Sequence, residues 1–201
     1  MKRTCIIKRK TKETEINLSL NIDGSGKTDI HTGIGILDHM LELFSFHGFF
    51  DLKIKAKSDF KKIDLHHINE DIGIVLGEAF KKALGNKKSI RRFGFFACPM
   101  EENFALVSLD ICGRAYFNLV EDELKLNLNQ DKYSLEDLKH FLDSFTRHLG
   151  MNLYIILKTS QSKDMHSIME PIFKALGIAL DQATQREPRR KGIPSTKGII
   201  D

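Results

Sequence analysis

The sequence contains few cysteines and no long apolar segment. Only three of its 201 residues are cysteines, Cys5, Cys98 and Cys112, and no two of them form a Cys-x-x-Cys pair. An odd number at these spacings argues against a disulfide framework and a thiolate zinc site, and it fits a reducing cytoplasm. The apolar run near Met1 is too short for a signal peptide, and no segment approaches the roughly 20 apolar residues of a membrane span. We therefore expect a cytoplasmic protein without membrane partners.

A large charge imbalance is absent too. The formal net charge is +4, with 29% charged and 41% hydrophobic residues. The basic excess lies mainly in residues 81–92 and 186–197. Mild positive charge of this kind suits a phosphorylated small substrate as well as it suits nucleic acid. Because Glu187 interrupts the second basic cluster and no aromatic-rich binding strand accompanies it, we expect no nucleic-acid partner.

What the chain does contain is an internal repeat. The segment DLHHINED at 64–71 recurs as DMHSIMEP at 164–171. The shorter segment LDHML at 37–41 recurs as LKHFL at 138–142. A single recurrence at this spacing differs from a solenoid, whose periods are shorter and more numerous. The pattern indicates a duplicated half-domain.

The repeat and the local patterns together predict an α+β fold. One domain spans residues 1–201, and its halves, approximately 1–90 and 91–201, are related by a pseudo-two-fold axis. Alternating or clustered β-forming residues predict strands at 5–7, 15–22, 51–56, 93–98, 105–112, 115–119 and 153–157. Helical spacing predicts helices at 36–46, 66–84, 135–149 and 165–184. The order β-β-α-β-α, repeated with an extra strand in the second half, predicts two small sheets, each backed by two helices.

A histidine and a glutamate four residues apart occur in both copies of the longer segment. His66 and Glu70 lie on one face of a helix, one turn apart, so they can hold one cation together. The same pair recurs as His166 and Glu170. The adjacent His67 points roughly 100° away around the helix axis, and it therefore needs a different target.

The complete set of repeat-related residues predicts two metal positions. It comprises five histidines and two glutamates: His39, His66, His67, His140, His166, Glu70 and Glu170. Each histidine alone could be a hydrogen-bonded helix residue, but the joint pattern favours metal ligands. One predicted site combines His166, Glu170, His67 and His39. Its pseudo-symmetric mate combines His66, Glu70 and His140, with Ser167 in the place of a further imidazole.

Basic and hydroxyl side chains near turns form a second group of candidates. They are Arg92, Arg114, Lys174, Ser195 and Lys197. Such donors can hold a phosphate monoester. The alternative is a solvated basic surface. Glu13, in the segment RKTKET, is on its own a polar strand residue.

The chain resembles the imidazoleglycerol-phosphate dehydratases over essentially its whole length. The matching segments are RKTKET (9–14), LDHML (37–41), HGFFDL (47–52), DLHHINED (64–71), RRFG (91–94), SLDICGRAYF (108–117), LKHFLDSF (138–145), FKALGIALDQAT (173–184) and IPSTKG (193–198). The resemblance implies an α+β fold of the ribosomal protein S5 domain 2-like type. It also implies a manganese-dependent hydro-lyase of histidine biosynthesis, converting D-erythro-imidazole glycerol phosphate to imidazole acetol phosphate. A cytoplasmic homo-oligomer of 24 subunits is implied as well, with sites between neighbouring chains.

Residue roles follow from the resemblance position by position. The implied Mn²⁺ ligands are His39, His66, His67, Glu70, His140, His166 and Glu170, forming two sites per subunit. The implied phosphate ligands are Arg92, Arg114, Lys174, Ser195 and Lys197. Proton transfer is implied for a carboxylate, namely Glu13, Glu70 or Glu170. The chain departs from the family pattern at Ser167, where a second histidine is usual, and at Asp164, where asparagine is usual. We therefore expect Ser167 to weaken one of the two metal sites.

Two other functions fit the same residues. A dinuclear metal hydrolase acting on a phosphate ester also uses His and Glu clusters beside basic residues. It would be expected to use bridging aspartates, which are scarce around these motifs. The second alternative is a metal-dependent assembly protein of the same fold, with catalysis impaired by Ser167.

Overall fold

Both halves of the chain form the same kind of sheet in the computed structural model, which describes residues 2–58, 65–121, 129–130, 133–159 and 164–200. The first half contains β1 (Thr4–Lys10), β2 (Thr14–Asn21), β3 (Thr28–His31), α1 (Gly35–His47), β4 (Asp51–Ser58) and α2 (Leu65–Leu84). The second half contains β5 (Phe93–Met100), β6 (Asn103–Asp110), β7 (Tyr116–Glu121), β8 (Asn129–Gln130), β9 (Tyr133–Ser134), α3 (Leu135–Leu149), β10 (Asn152–Thr159) and α4 (Met165–Thr184).

The two four-stranded sheets have matching topologies. Their strand orders are β1-β2-β4-β3 and β5-β6-β10-β7. In each sheet three strands are antiparallel, and the last strand pairs in parallel with its neighbour. The predicted α+β fold with two related halves is therefore confirmed. Asp64, the first residue of the first repeated segment, lies outside the described residues.

One prediction about the strands is wrong. The extra strand assigned to the second half has a counterpart in the first half, because β3 completes that sheet. β3 has only four residues, and Ile30 is its one buried apolar side chain, so it gives no alternating signal. What the second half has in addition is the two-residue pairing of β8 with β9.

The helices pair across the two halves. α2 packs on β1 and β2 of its own sheet and also against α3, while α4 packs on β5 and β6 and also against α1. Glycines at matching repeat positions allow the close approach. A methyl group on Gly77 would collide with the carbonyl oxygen of Phe145, and one on Gly177 would collide with that of Phe44. Each helix with a His–Glu pair therefore lies beside the first helix of the other half.

Phenylalanines from three helices fix this arrangement at the centre. Phe44, Phe80 and Phe145 are at most 1% exposed, and their rings meet edge-on with centroids 5.8 to 6.2 Å apart. Burying such a side chain contributes about 1.5–3 kcal/mol to folding. Within the described part of the chain, no helix has the length and apolar character needed to cross a membrane.

Candidate functional site

The pairing of α1 with α4 brings three predicted metal ligands together. His39, His166 and Glu170 each offer one ligand atom, and these three atoms lie within 4.8 Å of one another. The two imidazole rings stack with centroids 5.0 Å apart, and His166 Nε2 lies 3.6 Å from Glu170 Oε2. Among the described residues this is the one such group of three or more His, Cys, Asp or Glu. Two imidazoles and a carboxylate are a donor set that suits a divalent cation.

Lys174 belongs to this cluster rather than to the other basic residues. Its ammonium lies 2.5 Å from Glu170 Oε1, one helical turn along α4. The Glu170 side chain is only 12% exposed. One carboxylate oxygen therefore faces Lys174 while the other faces His166, which fixes the orientation of the group.

The pairing of α2 with α3 brings two further predicted ligands together. His66 Nδ1 and His140 Nδ1 lie 2.9 Å apart, a hydrogen bond in which one ring donates and the other accepts. His66 Nε2 lies 3.7 Å from Glu70, and His140 Nε2 lies 3.3 Å from Glu136. Glu136 was not among the predicted ligands, although it stands four residues before His140 on the same helix.

A buried asparagine holds these two helices together. Asn69 donates to the Asp137 carbonyl oxygen at 2.7 Å and accepts from the Tyr133 hydroxyl at 2.9 Å. Burial raises the pKa of Tyr133 well above its usual range, so the hydroxyl stays a donor. α3 begins there with a capping box, in which the Ser134 hydroxyl accepts from the Asp137 amide and the Asp137 carboxylate accepts from the Ser134 amide.

His67 points to a different place, as its helical position predicts. Its ring is tilted 83° from that of His66, and its Nδ1 lies 3.2 Å from Glu13 Oε2. Both side chains are about half exposed. They line a cavity of about 300 Å³ together with Arg9, Thr11, Glu70 and Asp71. Within this chain, the structure brings His67 to Glu13 and not to the His39 cluster.

Ser167 forms part of the cap of α4. Asp164 accepts from the His166 and Ser167 amides, and the Ser167 hydroxyl donates to the Asp164 carbonyl oxygen at 3.0 Å. The residue is 8% exposed. The position that matches His67 in the repeat therefore carries a hydroxyl bonded to the backbone and no imidazole.

Four of the five predicted phosphate ligands line one cavity. Its volume is about 180 Å³, and Arg92, Arg114, Ser195 and Lys197 contribute to its walls. Arg92 donates to both oxygens of Asp110, at 2.5 and 2.8 Å, and these bonds raise the pKa of the guanidinium. A third bond, to the Pro194 carbonyl oxygen at 2.9 Å, holds Arg92 beside the 195–197 segment.

Comparison with the sequences of known proteins identifies the family of this chain. The family model described as imidazoleglycerol-phosphate dehydratase matches residues 32–180. The chain belongs to this family. The imidazoleglycerol-phosphate dehydratase of Thermoanaerobacter sp. (strain X514) is 49% identical over 199 residues, covering 98% of this chain and 100% of the relative. That of Acetivibrio thermocellus is 48% identical over 200 residues, covering 100% of both chains.

Solved structures of imidazoleglycerol-phosphate dehydratases have the same fold. The structure from Pyrococcus furiosus has a TM-score of 0.80 and 35% identity, covering 96% of this chain and 99% of its own. The structure from Staphylococcus aureus has a TM-score of 0.78 and 31% identity, covering 92% and 99%. The family resemblance drawn from the sequence motifs is thus confirmed.

Sequence reasoning missed the residues that hold the site in place. Asn69 and Asp71 belong to the first repeated segment, but they were passed over because neither is a repeat-matched His or Glu. A comparison of the two copies could have found them. Met169 and Pro171 stand at the matching positions, so a polar residue in the first copy corresponds to an apolar one in the second.

Proposed function

We propose that this chain is a manganese-dependent hydro-lyase of histidine biosynthesis that dehydrates D-erythro-imidazole glycerol phosphate to imidazole acetol phosphate. The observation that carries the proposal is the cluster of His39, His166 and Glu170, set between the two halves of a chain of the imidazoleglycerol-phosphate dehydratase family. Manganese is the ion that the family resemblance implies.

The residues present fit a divalent cation. Imidazole nitrogens and a carboxylate converge at the first cluster, and the pair His66–His140 with Glu70 offers a similar donor set at the second. When bound, such cations would act as Lewis acids that polarise the substrate's imidazole ring and stabilise negative charge on it. We assign His67 to the first site. In the second site, Ser167 stands where the matching imidazole would be.

The remaining residues bind the substrate and move protons. Arg92, Arg114, Ser195 and Lys197 hold the phosphate, because cationic and hydroxyl donors line one small cavity. Dehydration removes a proton from one carbon of the side chain and hydroxide from the adjacent carbon, and the resulting enol becomes the ketone. Glu13 is placed to exchange a proton, because its carboxylate is partly exposed and lies against His67 at a cavity. Glu70 and Glu170 are the other candidate bases.

The proposal includes a cytoplasmic homo-oligomer, with 24 subunits as the resemblance implies. Supporting it, His67 and Glu13 line a cavity to which the chain's own His39 cluster does not contribute. Both side chains are exposed enough to reach a site on a neighbouring chain.

The direct test is product analysis with the purified chain, imidazole glycerol phosphate and added Mn²⁺. The expected product is the ketone, without release of inorganic phosphate. Phosphate release would instead identify the hydrolase alternative. His31→Ala is the matched control for variants of the proposed metal-ligand histidines. The His31 side chain is 70% exposed, and among the described residues it pairs only with Asp29.

A second candidate is a metal-dependent assembly protein with impaired catalysis. The observation that favours it is the Ser167 hydroxyl, which bonds to the Asp164 backbone in the place of an imidazole. It predicts metal-dependent oligomers, seen by light scattering, with neither ketone nor phosphate formed.

A further inference from the structure

The turn that carries Glu13 is tightly built. It connects β1 to β2, and the Thr11 hydroxyl accepts from the Glu13 amide at 3.1 Å and the Thr14 amide at 2.9 Å. The Thr11 amide in turn donates to the Thr14 carbonyl oxygen at 2.9 Å. These bonds define the turn itself, but they do not attach it to the rest of the molecule.

Asp71 attaches both sides of this turn to α2. Its Oδ1 accepts from Arg9, at 3.0 Å from Nε and 2.8 Å from Nη2, and Arg9 lies on β1 just before the turn. Its Oδ2 accepts from the Thr14 hydroxyl at 2.6 Å, at the first residue of β2. The Asp71 side chain is 14% exposed and Thr14 is 3% exposed. One largely buried carboxylate therefore uses both oxygens to hold the two strands beside one helix.

The same helix carries the partner of Glu13. His67 and Asp71 are four residues apart on α2 and so lie on one face. The contact of 3.2 Å between Glu13 and His67 is thus set by a rigid connection: helix, Asp71 carboxylate, strand ends and turn. A displacement of about 1 Å at a reacting group can cost on the order of a hundredfold in rate.

We propose that Asp71 is a positioning residue that sets the Glu13 carboxylate for proton transfer. This inference rests on the proposed function, in which Glu13 exchanges a proton with the substrate. Asp71 acts through Arg9 and Thr14 and reaches Glu13 only through the turn.

The described residues of the second half form no such anchored turn. The position that matches Asp71 in the repeat is Pro171, which has no carboxylate. Asn103, at the start of β6, takes the place of Thr14, and its buried amide has no hydrogen-bond partner among the described residues. In the part of the chain that the structure describes, the anchored turn therefore occurs once, consistent with one positioned carboxylate per chain.

The test measures Asp71→Asn alone and in a Glu13→Gln background. In the wild-type background we expect kcat to fall by roughly tenfold to a hundredfold, with KM and metal content unchanged. In the Glu13→Gln background the same change should cause no further loss, because its effect passes through the Glu13 carboxylate. An equal loss in both backgrounds, or an unchanged kcat, would overturn the proposal.

Two controls separate positioning from general damage. Glu78→Gln removes a carboxylate from the same helix, where it pairs with Lys82 at 3.4 Å, and it should leave kcat unchanged. Thr14→Val removes the hydroxyl held by Asp71, whereas Thr14→Ser keeps it. We expect Thr14→Val to lower kcat as Asp71→Asn does, and Thr14→Ser to keep it at the wild-type value. If Asp71→Asn does not fold, these two variants test the positioning role in its place.

A measurement without turnover distinguishes this inference from the proposed function. Hydrogen exchange of the backbone amides at residues 11–14 should become faster in Asp71→Asn and stay unchanged in Glu78→Gln. A wild-type chain without turnover would refute the proposed function, and the exchange rates would still report whether Asp71 anchors the turn. Unchanged exchange in Asp71→Asn would overturn the anchoring itself.

Discussion

The two clusters of the chain come from one repeat, but their surroundings differ. In the first, Glu170 is 12% exposed and faces both His166 and Lys174. In the second, Glu70 is 47% exposed and faces His66, while Ile74 stands where the repeat has Lys174. The Glu170 carboxylate is therefore oriented by two partners, whereas the more exposed Glu70 carboxylate faces one among the described residues. The proposed ligands recur in both copies, whereas the residues next to them differ.

The two copies of the longer repeated segment also differ in the residues beside the proposed ligands. The first copy of the segment has His67, Asn69 and Asp71, and the second has Ser167, Met169 and Pro171. The polar residues of the first copy fix α2 to α3 and to the β1–β2 turn. Met169 and Pro171 of the second copy are buried. We therefore expect the first cluster to retain a metal ion more tightly and α2 to support the Glu13 turn.

The largest expected effect is the loss of a ligand from the first cluster. His166→Ala removes an imidazole from the preformed group, and we expect turnover to fall roughly a thousandfold, equivalent to about 4 kcal/mol of lost Lewis-acid stabilisation. Metal content should fall by about one ion per chain by elemental analysis. His66→Ala should cause a smaller loss of tightly bound metal, and equal losses in the two variants would remove the distinction between the clusters.

The next effect concerns the phosphate cavity. Arg114→Ala removes one charged donor, worth about 1.5–3 kcal/mol. Substrate KM should therefore rise roughly tenfold to a hundredfold, with metal content unchanged. Arg147→Ala, which removes an exposed guanidinium paired with Asp143, is the matched control. If Arg114→Ala and His166→Ala reduced metal content alike, the cavity and the cluster would not be separate sites.

A stability difference should follow from the packing of the two helix pairs. Asn69→Met copies the second half and leaves the Tyr133 hydroxyl without its acceptor, at a cost of about 1–3 kcal/mol. The control at the matching position, Met169→Leu, keeps the core apolar and should cost less than about 1.5 kcal/mol. Denaturant unfolding measures both. A smaller loss for Asn69→Met than for Met169→Leu would show that the asparagine is not what joins α2 to α3.

The smallest expected effect is a gain. Ser167→His introduces the imidazole that the repeat assigns to the second proposed metal site, and metal content per chain should rise by at most about one ion. Ser25→His adds an exposed imidazole elsewhere and should leave it unchanged. Unchanged metal content in Ser167→His would contradict the assignment of this position to the second site.

The sequence predicts the fold well where its signals are periodic. The last helix is predicted at 165–184 and observed at Met165–Thr184, since its apolar spacing is regular and Asp164 caps it. β3 is missed because a four-residue edge strand carries little pattern.

Helical geometry gives the direction of His67 but not its partner, because Glu13 comes from a distant turn. The assignment of Lys174 to the phosphate stays a prediction. Its position four residues after Glu170 explains the ion pair that the structure shows.

The proposed function requires that divalent cations held by the histidine clusters take part in dehydration. The most direct measurement compares ketone formation by the same preparation before chelation, after complete removal of divalent ions, and after Mn²⁺ is returned. We expect turnover to disappear with the metal and to recover with it. An undiminished rate in the metal-free chain would contradict it.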